Sequence, residues 1–251
     1  SIKTPTNETG TRHKAAERVA RQAGTLVIAV SERRNEVTLF YKNIRHPLAN
    51  SAELLRKANE HIQLIEKQRA LFDKSLEKLT KLELRNHPSL HSALYVIQKG
   101  KIIQKISSDL KKYTIELGKE GAILKTRLKE ITSDVEKETE LVIKDYTQLN
   151  LKRSKDIIDE LSYDDLLDKE KILNAMAYDL PVQKNPVMGW RILSKTSLPE
   201  NEIAVLIKEA GSLGKALYSK DEFYRNIVGE ERFDSFKNEI QNIKIDSLSL
   251  I

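Results

Sequence analysis

Three consecutive basic residues, Arg12, His13 and Lys14, stand in the first turn of a helix that the sequence predicts to begin at Thr11. A helix N-terminus is the positive end of the backbone dipole, so cations there are mildly destabilising unless a negative group lies between them. The free backbone N–H groups of a first turn also bind phosphate readily. The pattern therefore favours an anion site at residues 11–14, and a solvated turn with incidental basic residues is the alternative.

Ser31, Arg33 and Arg34 form a second candidate cluster, directly after the predicted strand TLVIAV at residues 25–30. In α/β units, ligands often bind where strands end, and a hydroxyl or guanidinium group can reach phosphate there. A polar hairpin turn explains the same residues equally well. Residues 1–48 carry nine Lys and Arg against four Asp and Glu, a net charge of +5, which argues for an anionic partner at this end of the chain.

The secondary structure predicted around these clusters differs from that predicted for the rest of the chain. A helix over residues 11–23, a buried strand TLVIAV and a second strand EVTLFY at residues 36–41 predict an α/β region. From Asn50 onward, apolar residues recur at spacings of three and four, which is typical of amphipathic helices packed in an antiparallel bundle. Three such stripes predict three long helices, at residues 55–79, 90–117 and 124–142.

The last part of the chain predicts shorter helices. A helix over residues 199–210 is followed by short helical segments at Gly-containing turns, which suggests a helix-hairpin-helix unit. The sequence therefore predicts a mainly α-helical protein with three parts: an α/β region at residues 1–48, a helical bundle at 49–180 and a helix-hairpin-helix domain at 187–251.

The amino-acid composition limits the cellular compartment and the kinds of sites that we expect for this protein. The chain has 251 residues and no Cys, which excludes disulfides and thiolate metal sites and fits a reducing, cytoplasmic location. No apolar run approaches the roughly 20 residues that a membrane span needs, so we expect no membrane partner. With 39% hydrophobic residues the chain can bury a core, and with 32% charged residues much of its surface is solvated helix.

Several stretches together resemble one known family. They are PTNETGTRHKAAERVARQAGTLVIAVSERRNEVTLFY, IELGKEG, DVEKETELVIKDY and GWRILSK. These resemble the DisA family of DNA integrity scanning proteins over essentially the whole chain, with the first 48 residues similar to the second half of the family's diadenylate cyclase domain. The resemblance implies condensation of two ATP into cyclic di-AMP with release of pyrophosphate and a divalent metal, Mg²⁺ or Mn²⁺. It also implies a homo-octamer whose hairpin domains bind DNA, branched DNA especially, and thereby lower cyclase activity.

Carried over by the resemblance, the family's phosphate motif falls on Arg12, His13 and Lys14 after Thr11, and its serine and arginines after the strand fall on Ser31, Arg33 and Arg34. The sequence departs from the family at Lys14, where the family has Arg, and at Ala15, where it usually has Thr. The Asp-Gly-Ala element that supports the metal and ribose does not occur, and the first Asp of the sequence is Asp73. We therefore assign no metal ligand, and we expect a fragment that makes no cyclic di-AMP alone.

The C-terminal hairpin departs from the family as well. Its Gly-hydrophobic-Gly turn is here Ile227-Val228-Gly229, so the first Gly is lost. The resemblance places DNA contacts at the backbone of Val228, Gly229 and Glu230, with Lys195, Lys215 and Arg232 as candidate phosphate partners. Residues 187–251 carry nine basic against ten acidic residues, a net charge of −1, so we expect weak DNA binding from one copy. A small packing domain, or a non-catalytic DNA-binding or scaffold protein built on a helical bundle, is the alternative.

Overall fold

The computed structural model describes residues 10–32, 36–48, 50–177 and 187–249. Within these ranges the chain is mainly helical with one three-stranded sheet, and no helix there is long and apolar enough to cross a membrane. The strands are β1 (Leu26–Ser31), β2 (Glu36–Tyr41) and β3 (Ile44–Pro47). The helices are α1 (Thr11–Ala23), α2 (Ser51–Leu84), α3 (Leu90–Glu116), α4 (Lys119–Ile131), α5 (Val135–Tyr146), α6 (Leu151–Glu160), α7 (Tyr163–Leu167), α8 (Lys169–Ala175), α9 (Trp190–Leu193), α10 (Glu200–Ala210), α11 (Leu213–Tyr218), α12 (Asp221–Val228) and α13 (Glu230–Ser249).

The chain divides into two compact units. Unit 1 comprises Ser1–Gln63 and Asp109–Leu128, and unit 2 comprises Leu64–Ser108 and Lys129–Ile251. The three predicted domain ranges of the sequence analysis stay a prediction.

In unit 1, α1 packs on one face of an antiparallel sheet with strand order β1-β2-β3. The small side chains of Ala16 and Ala20 lie against Ala29 and Phe40, and this forms a compact core. The predicted helix and the two predicted strands are confirmed. The short strand β3 was not predicted, because its four residues, IRHP, show no alternation of apolar and polar side chains.

The prediction that β1 is buried is wrong. Leu26, Ile28 and Val30 alternate with the residues that face α1, and they are 56%, 58% and 56% exposed. The antiparallel register pairs Leu26 with Tyr41 and Tyr41 with Ile44, so these two exposed side chains lie on the same face. We call these five residues the open face of the sheet. An apolar run does not reveal whether one face or both faces of a strand are covered.

The first two predicted bundle helices are confirmed as α2 and α3. In unit 1 the ring of His61, near the start of α2, lies edge-on to the ring of Tyr113, near the end of α3, with 5.4 Å between the centroids. The two helices therefore run antiparallel there, as the short connection between them predicts.

The third predicted long helix is instead two helices, α4 and α5, interrupted at residues 132–134. In unit 2 the Arg69 Nη1 atom donates to the carbonyl oxygens of Ile131 and Ser133, at 2.8 and 2.7 Å. Asp134 adopts a left-handed conformation, with φ at 62°. Arg69, a polar residue on α2, thus satisfies carbonyl groups left free where α4 ends.

The C-terminal helices of unit 2 share one apolar core, which includes Leu84 of α2 beside Leu206, Ala216 and Phe236. The helix predicted at residues 199–210 is confirmed as α10. Two helix pairs, α10 with α11 and α12 with α13, are joined through glycines at positive φ. The helical pairs are observed, and their assignment as a helix-hairpin-helix domain stays a prediction.

Candidate functional site

The N-terminus of α1 has no side-chain cap. Its N-cap is Gly10, and its first turn holds no acidic residue. The first backbone bond of the helix runs from the Lys14 N–H to the Gly10 carbonyl oxygen at 2.9 Å. The N–H groups of residues 11–13 therefore precede the helical ladder and point out of the helix end, where an anion can accept from them.

The four side chains of this turn differ in their freedom to reach a ligand. Thr11 and Arg12 are exposed, whereas His13 and Lys14 are half-buried. The His13 ring lies edge-on to Phe40 of the sheet core, with 6.2 Å between centroids, and its Nε2 atom is buried with no hydrogen-bond partner among the described residues. Arg12 is thus the residue of this turn that is freest to contact a ligand from solvent. The position of His13 is fixed by its packing against Phe40.

Ser31 lies at the same end of unit 1 as this turn. Only two residues separate α1 from β1, and α1 packs against β1, so the chain reverses direction between them. A helix of 13 residues and a strand of 6 residues each span roughly 20 Å. The start of α1 and the end of β1 are therefore level with each other. Arg33 and Arg34 lie outside the described residues.

The described residues near α1 do not form a metal site. No group of three or more His, Asp or Glu side chains in the described ranges could hold a metal ion. Glu17, the buried carboxylate on α1, accepts from Arg21 Nη2 at 2.6 Å and so belongs to an ion pair. The divalent metal that the resemblance implies would need ligands other than these.

The turn between α12 and α13 is open to solvent but its cations are neutralised. Gly229 has φ at 77°, and a side chain there would meet nothing within 4 Å, while Val228 is buried. Glu230 pairs with Arg225, and the Arg232 Nη2 atom lies 2.8 Å from Glu202 Oε1. Acidic residues also occupy the first turn of α13. An approaching phosphate would meet carboxylates at this helix N-terminus.

Lys195 and Lys215 are both exposed and lie on other elements than this turn. Lys215 of α11 lines an open cavity of about 710 Å³ together with Asn86, Ser212 and Tyr218, and the lining does not include the turn between α12 and α13. Val228, Gly229, Glu230 and Arg232 thus lie at or next to one turn, whereas Lys195 follows α9 and Lys215 belongs to α11.

Comparison with known proteins decides the family. Residues 48–185 match the model of the DisA bacterial checkpoint controller linker region, and residues 1–44 match that of the DisA bacterial checkpoint controller nucleotide-binding region. The chain belongs to the DisA family. The DNA integrity scanning protein DisA of Clostridium acetobutylicum is 34% identical over 248 residues, which cover 96% of this chain and 70% of that protein. Proteins of the same name from Carboxydothermus hydrogenoformans and Clostridium botulinum are 34% and 32% identical over similar shares.

The residue ranges of the two family matches correspond to different sets of secondary-structure elements. The nucleotide-binding region of the DisA family covers the basic turn of α1 and the first two strands, and the linker region covers α2 to α8. The resemblance drawn from the sequence is thereby confirmed.

Sequence reasoning missed a buried cluster of charged and polar residues in unit 2. Arg191 is fully buried and pairs with Glu83 of α2, and its Nη1 atom donates to Thr80 Oγ1 at 2.9 Å. Asp145 and Tyr146 of α5 complete the set. We call these five residues the buried charged cluster. The available signal was a charged residue inside the otherwise apolar helix WRIL, at residues 190–193.

Proposed function

We propose that the chain is part of a diadenylate cyclase of the DisA type, which binds ATP phosphates at the N-terminus of α1 and yields cyclic di-AMP. The observation that carries the proposal is the uncapped, basic first turn of α1 inside the region that matches the family's nucleotide-binding model. In this reaction each 3′-hydroxyl attacks the α-phosphate of the other nucleotide and pyrophosphate leaves. Two copies must face each other, which agrees with a homo-oligomer, an octamer by family resemblance.

The residues of this chain contribute phosphate binding in the proposal. Arg12 and Lys14 supply positive charge, Thr11 and Ser31 supply hydroxyl donors, and His13 supplies a donor fixed by packing. Arg33 and Arg34, after β1, are proposed to complete the set. Mg²⁺ or Mn²⁺ would neutralise the phosphates when bound, with ligands from the Asp-Gly-Ala element that this sequence lacks, so the chain alone is expected to be inactive.

Arg12→Ala should weaken ATP binding at least tenfold, because a lost charge-assisted phosphate contact costs about 1.5–3 kcal/mol. Isothermal titration calorimetry with ATP measures it, and binding is the readout because we expect no turnover from the chain alone. The matched control is Arg18→Ala, an exposed arginine in the middle of the same helix, which should leave affinity within about twofold. Equal affinities for wild type and Arg12→Ala would contradict the site.

We further propose that residues 187–251 contact DNA weakly through the turn at Val228, Gly229 and Glu230, with Arg232, Lys195 and Lys215 as further phosphate contacts. Several weak copies in one oligomer raise avidity by ~10²–10⁴ when all can bind at once. The open turn at Gly229 supports this proposal. The pairing of Arg225 and Arg232 with carboxylates favours the alternative of a packing or scaffold domain.

A double change, Glu230→Gln with Glu231→Gln, separates these alternatives. Removing two negative charges from the first turn of α13 should strengthen DNA binding by roughly 2–5-fold per residue at low salt, because anions there repel phosphate. Fluorescence anisotropy with branched and linear DNA, at two salt concentrations, measures the effect on the assembled protein. Asp234→Asn, exposed on the same helix, is the control. Absence of DNA binding by wild type and double variant alike would favour the scaffold alternative.

A further inference from the structure

The open cavity that Lys215 lines lies where Asn86, which follows α2, meets α10, α11 and α12 of unit 2. Its volume of about 710 Å³ falls within the range of small-molecule sites, roughly 300–1,000 Å³. Leu84, two residues before Asn86, belongs to the apolar core of the C-terminal helices, so the end of α2 is held against them. We call this space the α11 cavity, after the helix that supplies Gly214, Lys215 and Tyr218 to its wall.

Asn86 is held in the wall of the cavity by its surroundings. Its backbone is left-handed, with φ at 58°, and its N–H donates to the Glu83 carbonyl oxygen at 3.0 Å. A Cβ atom at position 214 would lie 2.5 Å from Asn86 Oδ1, so the amide lies directly against Gly214. Within the described part of the chain, this amide makes no hydrogen bond. A donor and an acceptor are therefore fixed in place and available to a ligand.

Two aromatic side chains line the same cavity. Tyr218 is 65% exposed, and the Lys244 Nζ atom lies 4.6 Å from the centre of its ring. Phe223 is half-buried, and it packs against the apolar core of the C-terminal helices. An exposed ring in a cavity wall offers a surface on which a nucleobase can stack, and stacking of this kind is strong for every base.

Positive charge exceeds negative charge around the cavity. Lys215 is exposed, and its ammonium group has no ion-pair partner in the described ranges. Its backbone is held at both ends, because its N–H donates to Ser212 Oγ at 3.3 Å and its carbonyl oxygen accepts from Ser219 Oγ at 2.7 Å. With Lys244 beside Tyr218, two cations stand against Glu209, the carboxylate of the lining. The cavity thus suits an aromatic ligand that carries negative charge.

We propose that the α11 cavity binds a single nucleotide, with its base on Tyr218, its phosphate at Lys215 and its base edge at Asn86. The Asn amide donates and accepts in one plane, which matches N6 and N7 of adenine, so adenine should bind best. Glu209 is placed to accept from a ribose hydroxyl. A free nucleotide and an unpaired nucleotide of a DNA strand share this chemistry. The site is separate from the phosphate site proposed at α1.

Photolabelling of the full chain with 8-azidoadenosine monophosphate, followed by tryptic digestion and mass spectrometry, locates the nucleotide. We expect label on the peptide ALYSK, residues 216–220, and protection of that peptide by excess AMP. Label confined to residues 11–34 would place the nucleotide at α1 and would overturn the inference. Label on ALYSK without label at residues 11–34 would instead count against the site at α1, so the two proposals fail separately.

Calorimetric titration with AMP measures what each side chain contributes. Tyr218→Ala should weaken binding about tenfold, because a stacking ring is lost, and Lys215→Gln about fivefold, because a phosphate contact is lost. Both side chains are exposed, so neither change should unfold the protein. The controls are Tyr163→Ala on α7 and Lys152→Gln on α6, both exposed, and each should stay within about twofold of wild type. A site at α1 contributes equally to all these proteins, so the differences report the cavity.

The choice of ligand gives the remaining tests. Asn86→Gly keeps the left-handed backbone and removes the amide, so it should reduce the preference for AMP over CMP. Competition by single-stranded oligoadenylate, but not by a duplex, would identify a DNA strand as the source of the nucleotide, and competition by neither would identify the free nucleotide. Wild-type affinity for AMP in both Tyr218→Ala and Lys215→Gln, or binding of inorganic phosphate as tight as that of AMP, would overturn the proposal.

Discussion

Replacing Arg191 with alanine is expected to lower the free energy of unfolding of unit 2 by about 3–5 kcal/mol, the largest effect of any change considered. The variant leaves Glu83 buried without its charge partner and leaves a space where a guanidinium group was packed. Removing one partner of a buried ion pair is far more damaging than replacing both by apolar groups. Denaturant unfolding, followed by far-UV circular dichroism and by Trp190 fluorescence, measures the change.

Arg85→Ala is the matched control for this variant. Arg85 is exposed and lies two residues beyond Glu83, so its loss should change stability by no more than about 0.5 kcal/mol. The double change Glu83→Leu with Arg191→Met should recover much of the loss, because it removes both charges at once. A loss below about 1 kcal/mol in Arg191→Ala would show that the ion pair contributes little and that Asp145 and the apolar core hold α9 in place.

Gly100→Ala should destabilise unit 2 by about 1–3 kcal/mol, because α3 and α5 approach too closely for a side chain there. A Cβ atom at Gly100 would lie 2.0 Å from Thr139 Oγ1 and 3.1 Å from two Thr139 carbons, and Thr139 is itself fully buried. The two helices must move apart or Thr139 must abandon its hydrogen bond to the Val135 carbonyl oxygen. Thermal and denaturant unfolding by circular dichroism measure the loss.

Ser108→Ala, exposed on the same helix, controls for the helix propensity that alanine adds. It should be neutral or slightly stabilising. If Gly100→Ala also stabilised the protein, the close approach of α3 and α5 would be disproved, since an unhindered Gly→Ala change in a helix gains up to about 1 kcal/mol.

Local patterns in the sequence predict the helices α1, α2, α3 and α10 and two of the three strands. They fail where the outcome depends on a residue far along the chain. The break between α4 and α5 is stabilised by Arg69, which lies more than sixty residues earlier in the chain. In the sequence, Arg69 is only a polar residue among the regularly spaced apolar residues of α2. The exposure of β1 depends on which faces of the sheet are covered, and its own apolar residues cannot report this.

The same difference between local patterns and distant contacts decides which features of the candidate sites could be predicted. The basic turn at residues 11–14 is one local motif, so its position at a helix N-terminus could be predicted. The half-burial of His13 depends on Phe40, and the pairing of Arg232 depends on Glu202, so neither could. The burial of Arg191 depends on Glu83 and Asp145, which lie 108 and 46 residues away.

The open face of the sheet has a consequence for how the isolated chain behaves in concentrated solution. Leu26, Ile28, Val30, Tyr41 and Ile44 present adjoining apolar surface to water on one side of three short strands. Two molecules that meet through such surfaces release ordered water, and this attraction strengthens on warming and with sulfate, and weakens on cooling. Turbidity from this source clears on ice, in contrast to aggregation through opposite charges, which dilute salt disperses.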